Sequence, residues 1–357
     1  MSRPLILVTG ATGKTGGAVA RQLRGLDWPV RVLVRSADAR ARVLADLGCE
    51  VQVGDLFDPA VMQTAMRGVG RAYLVPPFDP RMIEAADLFL RAAQEARLES
   101  TVALGQWLAC ERHPAFETRQ LWQMEQRLRG LSLGVTLVAP GFFADNYLRL
   151  INFAAQLGVL PSLTGNSLNA PPSNEDIAAV IVGALIDPDR HAGRAYRPTG
   201  PQLLSTAGMA KEVATALDRG VMRFEMPMWL FLKAARMQGV PAAELSGFRH
   251  RVRDHKQGAF AFHGLTDHVE RVTGRPPEAF GATARRYAAL PEARVTFASR
   301  TGAFLDFMRT PIAPGYDLAR FERDAGVVAP AKARYAMQDP VWKASRERLA
   351  RDAVLTA

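Results

Sequence analysis

The residues with the clearest chemical use lie in Gly10-Ala11-Thr12-Gly13-Lys14-Thr15-Gly16. Glycine at every third position lets a backbone turn sharply and come close to a bulky anion. A helix that starts in such a loop adds free N–H groups and the positive end of its dipole. This chemistry suits a dinucleotide pyrophosphate: Gly10 makes the turn, Gly13 admits the phosphates, and Gly16 lets helix and sheet pack closely. Thr12, Lys14 and Thr15 fall in the same loop and join the expected cofactor contacts. Gly13-Lys14-Thr15 also ends like a Walker phosphate loop. Val8 stands where that loop needs its first glycine, so ATP hydrolysis of that type is excluded.

The flanking elements give the glycines their meaning. Leu5-Ile6-Leu7-Val8 reads as a strand buried on both faces, and Ala18 to Leu23 carries helical apolar spacing. A second strand is expected over 30–35, and the residue at its end selects the cofactor. An acid there would hold ribose hydroxyls, whereas a cation accommodates a 2′-phosphate. Arg35, with Ser36 beside it and Lys14 in the loop, points to NADP(H); the alternative is a solvated arginine at a strand end. A third strand ends at Gly54-Asp55, where Asp55 suits either the adenine edge or the N-cap of a helix from Pro59. A fourth strand over 72–77 closes over the cofactor with Pro76 and Pro77. Helices at 82–95 and 118–128 and strands at 101–105 and 134–138 complete an α/β pattern, a doubly wound parallel sheet.

Beyond about Tyr147 the pattern changes. Residues 154–172 read as loop, Asn174 opens a capped helix, and 194–198 could return a last strand. The expected division is a dinucleotide-binding domain at 1–200, a smaller helical substrate cap at 201–290 and a helical C-terminal extension at 291–357. The aromatic residues Phe224, Trp229, Phe231, Phe248, Phe260 and Phe262 are expected to build a core rather than a cofactor box. The extension would wrap the domain or a partner subunit, which leaves a homodimer open.

Bulk properties narrow the function classes. The chain has 357 residues and a net charge of +10, yet its arginines are scattered and no nucleic-acid-binding motif accompanies them. Direct DNA or RNA binding is therefore not expected. The longest apolar run, around Ala178 to Ile186, is about half a membrane span, and no signal peptide is expected. Two cysteines without a partner pattern, Cys49 and Cys110, fit a reducing cytoplasm and no metal site.

Several segments stand in an order that resembles the NmrA-like branch of the atypical short-chain dehydrogenases/reductases. They are the glycine loop, Arg35, Gly54-Asp55, Pro140-Gly141-Phe142-Phe143-Ala144-Asp145-Asn146, Asp176-Ile177-Ala178, Thr199-Gly200-Pro201 and Thr273-Gly274-Arg275-Pro276-Pro277. The resemblance spans about residues 4–290. It implies a Rossmann fold and either NADPH-dependent reduction of quinones and similar conjugated molecules or NADP-binding redox sensing without turnover. Departures accompany it. No tyrosine has a lysine four residues on, Leu121 replaces a lysine that some members place four residues before a glutamate like Glu125, and Gly105 replaces a common serine.

Hydride transfer to an electron-poor ring needs only close placement, with water supplying protons. In that scheme Gln106 and Trp107 lie beside the nicotinamide, and Phe142, Phe143 and Asn146 stack on and orient the substrate. His113 and Arg119 are the expected catalytic groups, able to donate a proton or hold developing charge. The competing readings are a core Trp107, a solvated loop His113 and a helix-surface Arg119.

Overall fold

The computed structural model describes residues 3–130 and 134–353. Its strands are β1 (Leu5–Thr9), β2 (Val30–Val34), β3 (Glu50–Val53), β4 (Val69–Leu74), β5 (Ser100–Leu104), β6 (Gly134–Val138), β7 (Val159–Ser162), β8 (Ala195–Tyr196) and β9 (Met222–Glu225). Seven of them form one parallel sheet in the order β3-β2-β1-β4-β5-β6-β8. The first helices are α1 (Lys14–Gly25), α2 (Ala39–Asp46), α3 (Pro59–Met66), α4 (Met82–Glu95) and α5 (Phe116–Arg129). They are followed by α6 (Ala144–Leu148), α7 (Ile151–Leu157), α8 (Asn174–Ile186) and α9 (Pro188–His191).

Side chains alternate across β1. Leu7 enters the core shared with α3, α4 and α5, while Ile6 and Val8 enter the one shared with α1 and α8. Both faces are therefore covered, which is why the strand reads as an unbroken apolar run. Strand order reverses between β1 and β4, and their carboxyl ends diverge into a crevice there. Thr9 pins the two strands at that point. Its hydroxyl donates to the Tyr73 carbonyl at 3.1 Å and accepts from the Val75 N–H at 2.8 Å.

The cap contains α10 (Thr206–Leu217), α11 (Met228–Met237), α12 (Ala242–Lys256), α13 (His268–Thr273) and α14 (Phe280–Ala288). Phe231, Phe248 and Phe260 are buried in it, whereas Phe224 and Trp229 are exposed. The extension supplies α15 (Phe297–Arg309), α16 (Leu318–Asp324) and α17 (Pro340–Asp352). It packs on its own chain, with α15 on α7, α16 on α12 and α17 beside β8.

Some expected boundaries move. The fourth strand runs from Val69 to Leu74 and stops before Pro76 and Pro77, which have no N–H to give a ladder. Residues 154–172 are more than loop: they hold part of α7 and the whole of β7, which pairs in parallel with β9 of the cap. Asp55 is not the N-cap of α3. Asp58 is, accepting from the Ala60 and Val61 N–H groups, while Asp55 only turns the chain toward Phe57.

Candidate functional site

The crevice floor is the loop between β1 and α1. Gly10 has φ +62°, and a Cβ there would come within 3.0 Å of Val75. A Cβ on Gly16 would sit 2.4 Å from the Gly10 carbonyl oxygen, so the helix can start this close to the strand only with glycine. On Gly13 a Cβ would be 3.2 Å from that same oxygen, and Gly13 itself is exposed. Helix α1 begins without a side-chain cap and without an acid in its first turn. By contrast, Asp38, Asp58 and Ser173 cap α2, α3 and α8. The first N–H groups of α1 thus face the crevice with the helix dipole behind them, the arrangement that receives a phosphate.

Lys14 and Thr15 are both used, in different directions. The Lys14 ammonium pairs with Asp145 of α6 at 2.7 Å and donates to the Tyr287 hydroxyl of α14 at 2.9 Å. Lys14 is therefore held by residues after β6 and in α14. Burial, reinforced by the Asp145 carboxylate, holds the Tyr287 phenol protonated well above the usual tyrosine range. Thr15 donates to the Asn174 side chain at 2.9 Å, tying α1 to the start of α8 and leaving its backbone N–H for the loop. Thr12 is half-buried in the loop.

At the outer half of the crevice Arg35 is exposed. Ser36 donates to Asp38 at 3.4 Å, and Asp38 is held below the usual carboxylate range, at about 2, chiefly by its bond to Arg40. Gly54 is there for packing: a Cβ would come within 2.4 Å of Val61 on α3. Asp55 stands exposed beside it, and Pro76 is buried after β4. On the inner half, Val75, Leu104 and Phe143 pack against one apolar cluster at the carboxyl ends of β4, β5 and β6. These half-buried side chains form an apolar wall at that end of the crevice.

Residues after β5 depart from expectation. Trp107 is fully buried: its indole N–H donates to the Ala259 carbonyl at 2.9 Å, and the Arg197 guanidinium lies 3.6 Å from its ring centroid. Trp107 is core, not a substrate contact. His113 is fully buried as well. Its Nδ1 accepts from the Ala115 N–H at 3.0 Å and its Nε2 lies 2.7 Å from the buried Asp254 carboxylate. Arg119 gives its guanidinium to the carbonyls of His113, Pro114 and Val328. Both expected catalytic groups are structural clamps: both ring nitrogens of His113 are taken, and both terminal nitrogens of Arg119 are on backbone carbonyls. Gln106 is half-buried and accepts from Thr118 at 2.9 Å.

The extension explains this saturation. The Ala336 N–H donates to Asp254 at 3.0 Å, Trp342 donates to the Trp107 carbonyl at 3.0 Å, and Arg346 pairs with Glu125 at 3.4 Å. Glu125, which lacks a lysine at Leu121, is thus neutralised from the other end of the chain. Burial nevertheless raises its pKa, against the pull of Arg346 and Arg129. Gly105 is required beside it, because a Cβ would meet Leu137 at 2.8 Å and the Glu125 carboxylate at 3.1 Å.

The Pro-Gly-Phe-Phe segment splits its two aromatic rings. Phe143 joins the crevice wall, while Phe142 is buried in a cluster with Tyr147, Phe248, His255 and Phe260. Asn146 is half-buried and, with Phe142 and Tyr147, borders a small cavity. Behind it the Tyr147 hydroxyl bonds His255, whose pKa burial lowers to about 4, so the imidazole stays neutral. Two further segments that carried the resemblance are joined in space: Asp176 is fully buried and pairs with Arg275 at 2.7 Å.

Comparison with known proteins agrees with this architecture. The sequence profile of the NmrA-like family matches residues 2–233. The chain belongs to the NmrA-like family. It is 31% identical over 285 residues to an NAD(P)H azoreductase of Xenophilus azovorans, covering 80% of this chain and 98% of that protein. It is 32% identical over 280 residues to a (4-alkanoyl-5-oxo-2,5-dihydrofuran-3-yl)methyl phosphate reductase of Streptomyces griseus, 77% of this chain and 95% of that protein. The solved fold of the NADPH-dependent quinone oxidoreductase of Escherichia coli, complexed with NADPH, superposes with TM-score 0.66 at 21% identity, covering 79% of this chain and 99% of the other. Asp145, Tyr287, Asn174 and Thr9 were not singled out from the sequence as site residues. Asp145 stood inside a quoted motif, whereas nothing local marks Tyr287.

Proposed function

We propose that the protein is an NADPH-dependent reductase of flat conjugated molecules such as quinones. The observation that carries this reading is the uncapped start of α1 above the Gly10–Gly16 loop, at the strand-order reversal. The loop and the α1 N–H groups would hold the pyrophosphate, Lys14 would neutralise it, and Arg35 with Ser36 would take the 2′-phosphate. NADPH, when bound, supplies the hydride. The apolar wall of Val75, Leu104 and Phe143 excludes water from that end of the crevice, and Asn146 orients the acceptor's oxygen. No side chain of the expected general-acid set is free, so protons come from water, which suits acceptors whose reduced form is a weak acid. The reductase names of the azoreductase and of the Streptomyces relative support the same class.

We assign cofactor binding to residues 1–200 and substrate cover to the cap. Among the described residues no helix is long and apolar enough to cross a membrane. The free, buried thiols of Cys49 and Cys110 fit a cytoplasmic setting. The decisive experiment follows NADPH absorbance against a panel of quinones, azo dyes and conjugated ketones, beside calorimetric titration of NADPH, NADP and NADH. Turnover that falls in Asn146→Ala and Phe143→Ala supports the reductase. Tight NADPH binding with no turnover across the panel would favour a redox sensor, and absence of binding overturns both.

A further inference from the structure

A cavity of about 400 Å³ lies between cap and extension. Phe153 and Leu157 of α7, Leu230 of α11, Val240, and Phe304 and Phe307 of α15 supply its apolar wall. The charged side chains at its edge already have partners. Arg149 pairs with Glu244 at 3.4 Å, and Arg223 with Glu225 at 3.8 Å. The interior therefore offers contact to an apolar group and little to a charged one. The recess is open on the extension side, where Phe304 and Phe307 are 54% and 41% exposed, and apolar surface left in water forfeits transfer energy. An engineered apolar cavity of about 150 Å³ takes up benzene, so this space exceeds what one aromatic ring fills.

A second cavity, of about 30 Å³, lies beside it on the side of Asn146 and shares Arg149, Leu150, Pro161, Phe231 and Phe248 with it. Phe142, Asn146 and Tyr147 border the small cavity, and Leu150, Phe231 and Phe248 border both. Phe231 and Phe248 are stacked with centroids 4.8 Å apart and stand as the partition. Between Asn146 and the large cavity stand Arg149, Leu150, Pro161, Phe231 and Phe248, and of these only Arg149 is charged. Phe304 and Phe307 lie outside the matched family segment, which ends at residue 233, so the outer wall is an addition of this chain's extension.

We propose that this chamber binds the apolar chain of a conjugated substrate whose flat head is reduced in the crevice. The substrate class is then a quinone-like ring bearing an alkyl or isoprenoid-like tail, and the extension selects for that tail. This inference rests on the reductase reading. Phe231 and Phe248 part to admit the tail, and its burial lowers KM without changing the hydride step, because the tail's contacts are the same in ground and transition states.

The test uses the full-length protein with methyl-, butyl- and decyl-substituted benzoquinone at saturating NADPH. The expected result is a KM at least about tenfold lower for the decyl than for the methyl homologue, with kcat within about twofold. Ala234→Phe, which fills the chamber from a half-buried position on α11, and Phe304→Glu, which puts a carboxylate in its wall, should each raise the decyl KM toward the methyl value. Equal KM values along the series, or a chain-length preference that survives both variants, overturns the proposal. If no homologue is turned over, the reductase reading fails, and calorimetric titration of the decyl homologue into the NADP-loaded protein then decides. Binding that is lost in Ala234→Phe retains the chamber as an apolar site; no binding, or binding unchanged in that variant, removes it.

Discussion

Two loops at the carboxyl edge of the same sheet have opposite characters. The loop after β1 is rich in glycine and left with unpaired helix N–H groups; in the segment after β5, Glu111 and Arg112 face solvent, while Gln106, Trp107, His113 and Arg119 are engaged by the protein itself. Both held residues that sequence reading marked as functional. What separates them is polar satisfaction. A binding site must keep donors without protein partners, because a donor already paired gives up one bond to make another. By that criterion the β1 loop can receive an anion, and the His113–Arg119 segment holds the fold together.

The contrast can be broken most forcefully at His113. Replacing it with Ala strands the buried Asp254 carboxylate and should cost about 3–5 kcal/mol in urea unfolding, while kcat/KM of the folded fraction stays within about twofold. Full stability with collapsed turnover would restore His113 as a catalytic group. Next in size is Gly16→Ala, whose Cβ must displace the Gly10 carbonyl from 2.4 Å. NADPH affinity measured by calorimetry should fall on the order of 100-fold, equivalent to about 2.7 kcal/mol. Unchanged affinity would move the pyrophosphate elsewhere.

A smaller effect sharpens the outer half of the crevice. Arg35→Ala should weaken NADPH about tenfold and leave NADH nearly unaffected, since only the former carries the 2′-phosphate. Equal losses would show that Arg35 does not read that group. The mildest effect is on pH stability. Burial lowers the pKa of His250 to about 3 and of His255 and His268 to about 4, from an ordinary 6.5. The unfolded chain therefore binds protons that the folded one refuses, so stability is full above about pH 6.5 and declines toward pH 4. Thermal melts across that range should show the decline, with a shallower slope in His268→Gln; a flat profile would mean these imidazoles are more accessible than their packing indicates.

How far the sequence could be read follows from what each feature depends on. The helix at 82–95 and the strand at 134–138 fall where apolar spacing puts them, because local pattern and tertiary burial agree there. The glycine loop was legible for the same reason: strand, turn and helix are contiguous. The β7–β9 pair was not, since each strand has four residues and its partner lies on the other side of α8 and α10. His113 looked available because its partner Asp254 lies 141 residues away, and Lys14 looked free because Tyr287 lies 273 residues on. Side-chain availability is set by long-range contacts that no local spacing carries.

The seat of the extension has a consequence for the sheet's outer border. Strand β8 is the last of the seven, and its Ala195 N–H donates to the Ala353 carbonyl at 2.9 Å. An unpaired border strand is a template for adding a strand from another molecule, and here one of its donors is consumed by the chain itself. Residues 340–353 therefore act as a guard against edge-to-edge association as well as a cover for Trp107. Losing them would expose an adhesive border and an indole-lined surface together, turning a folding defect into a tendency to aggregate.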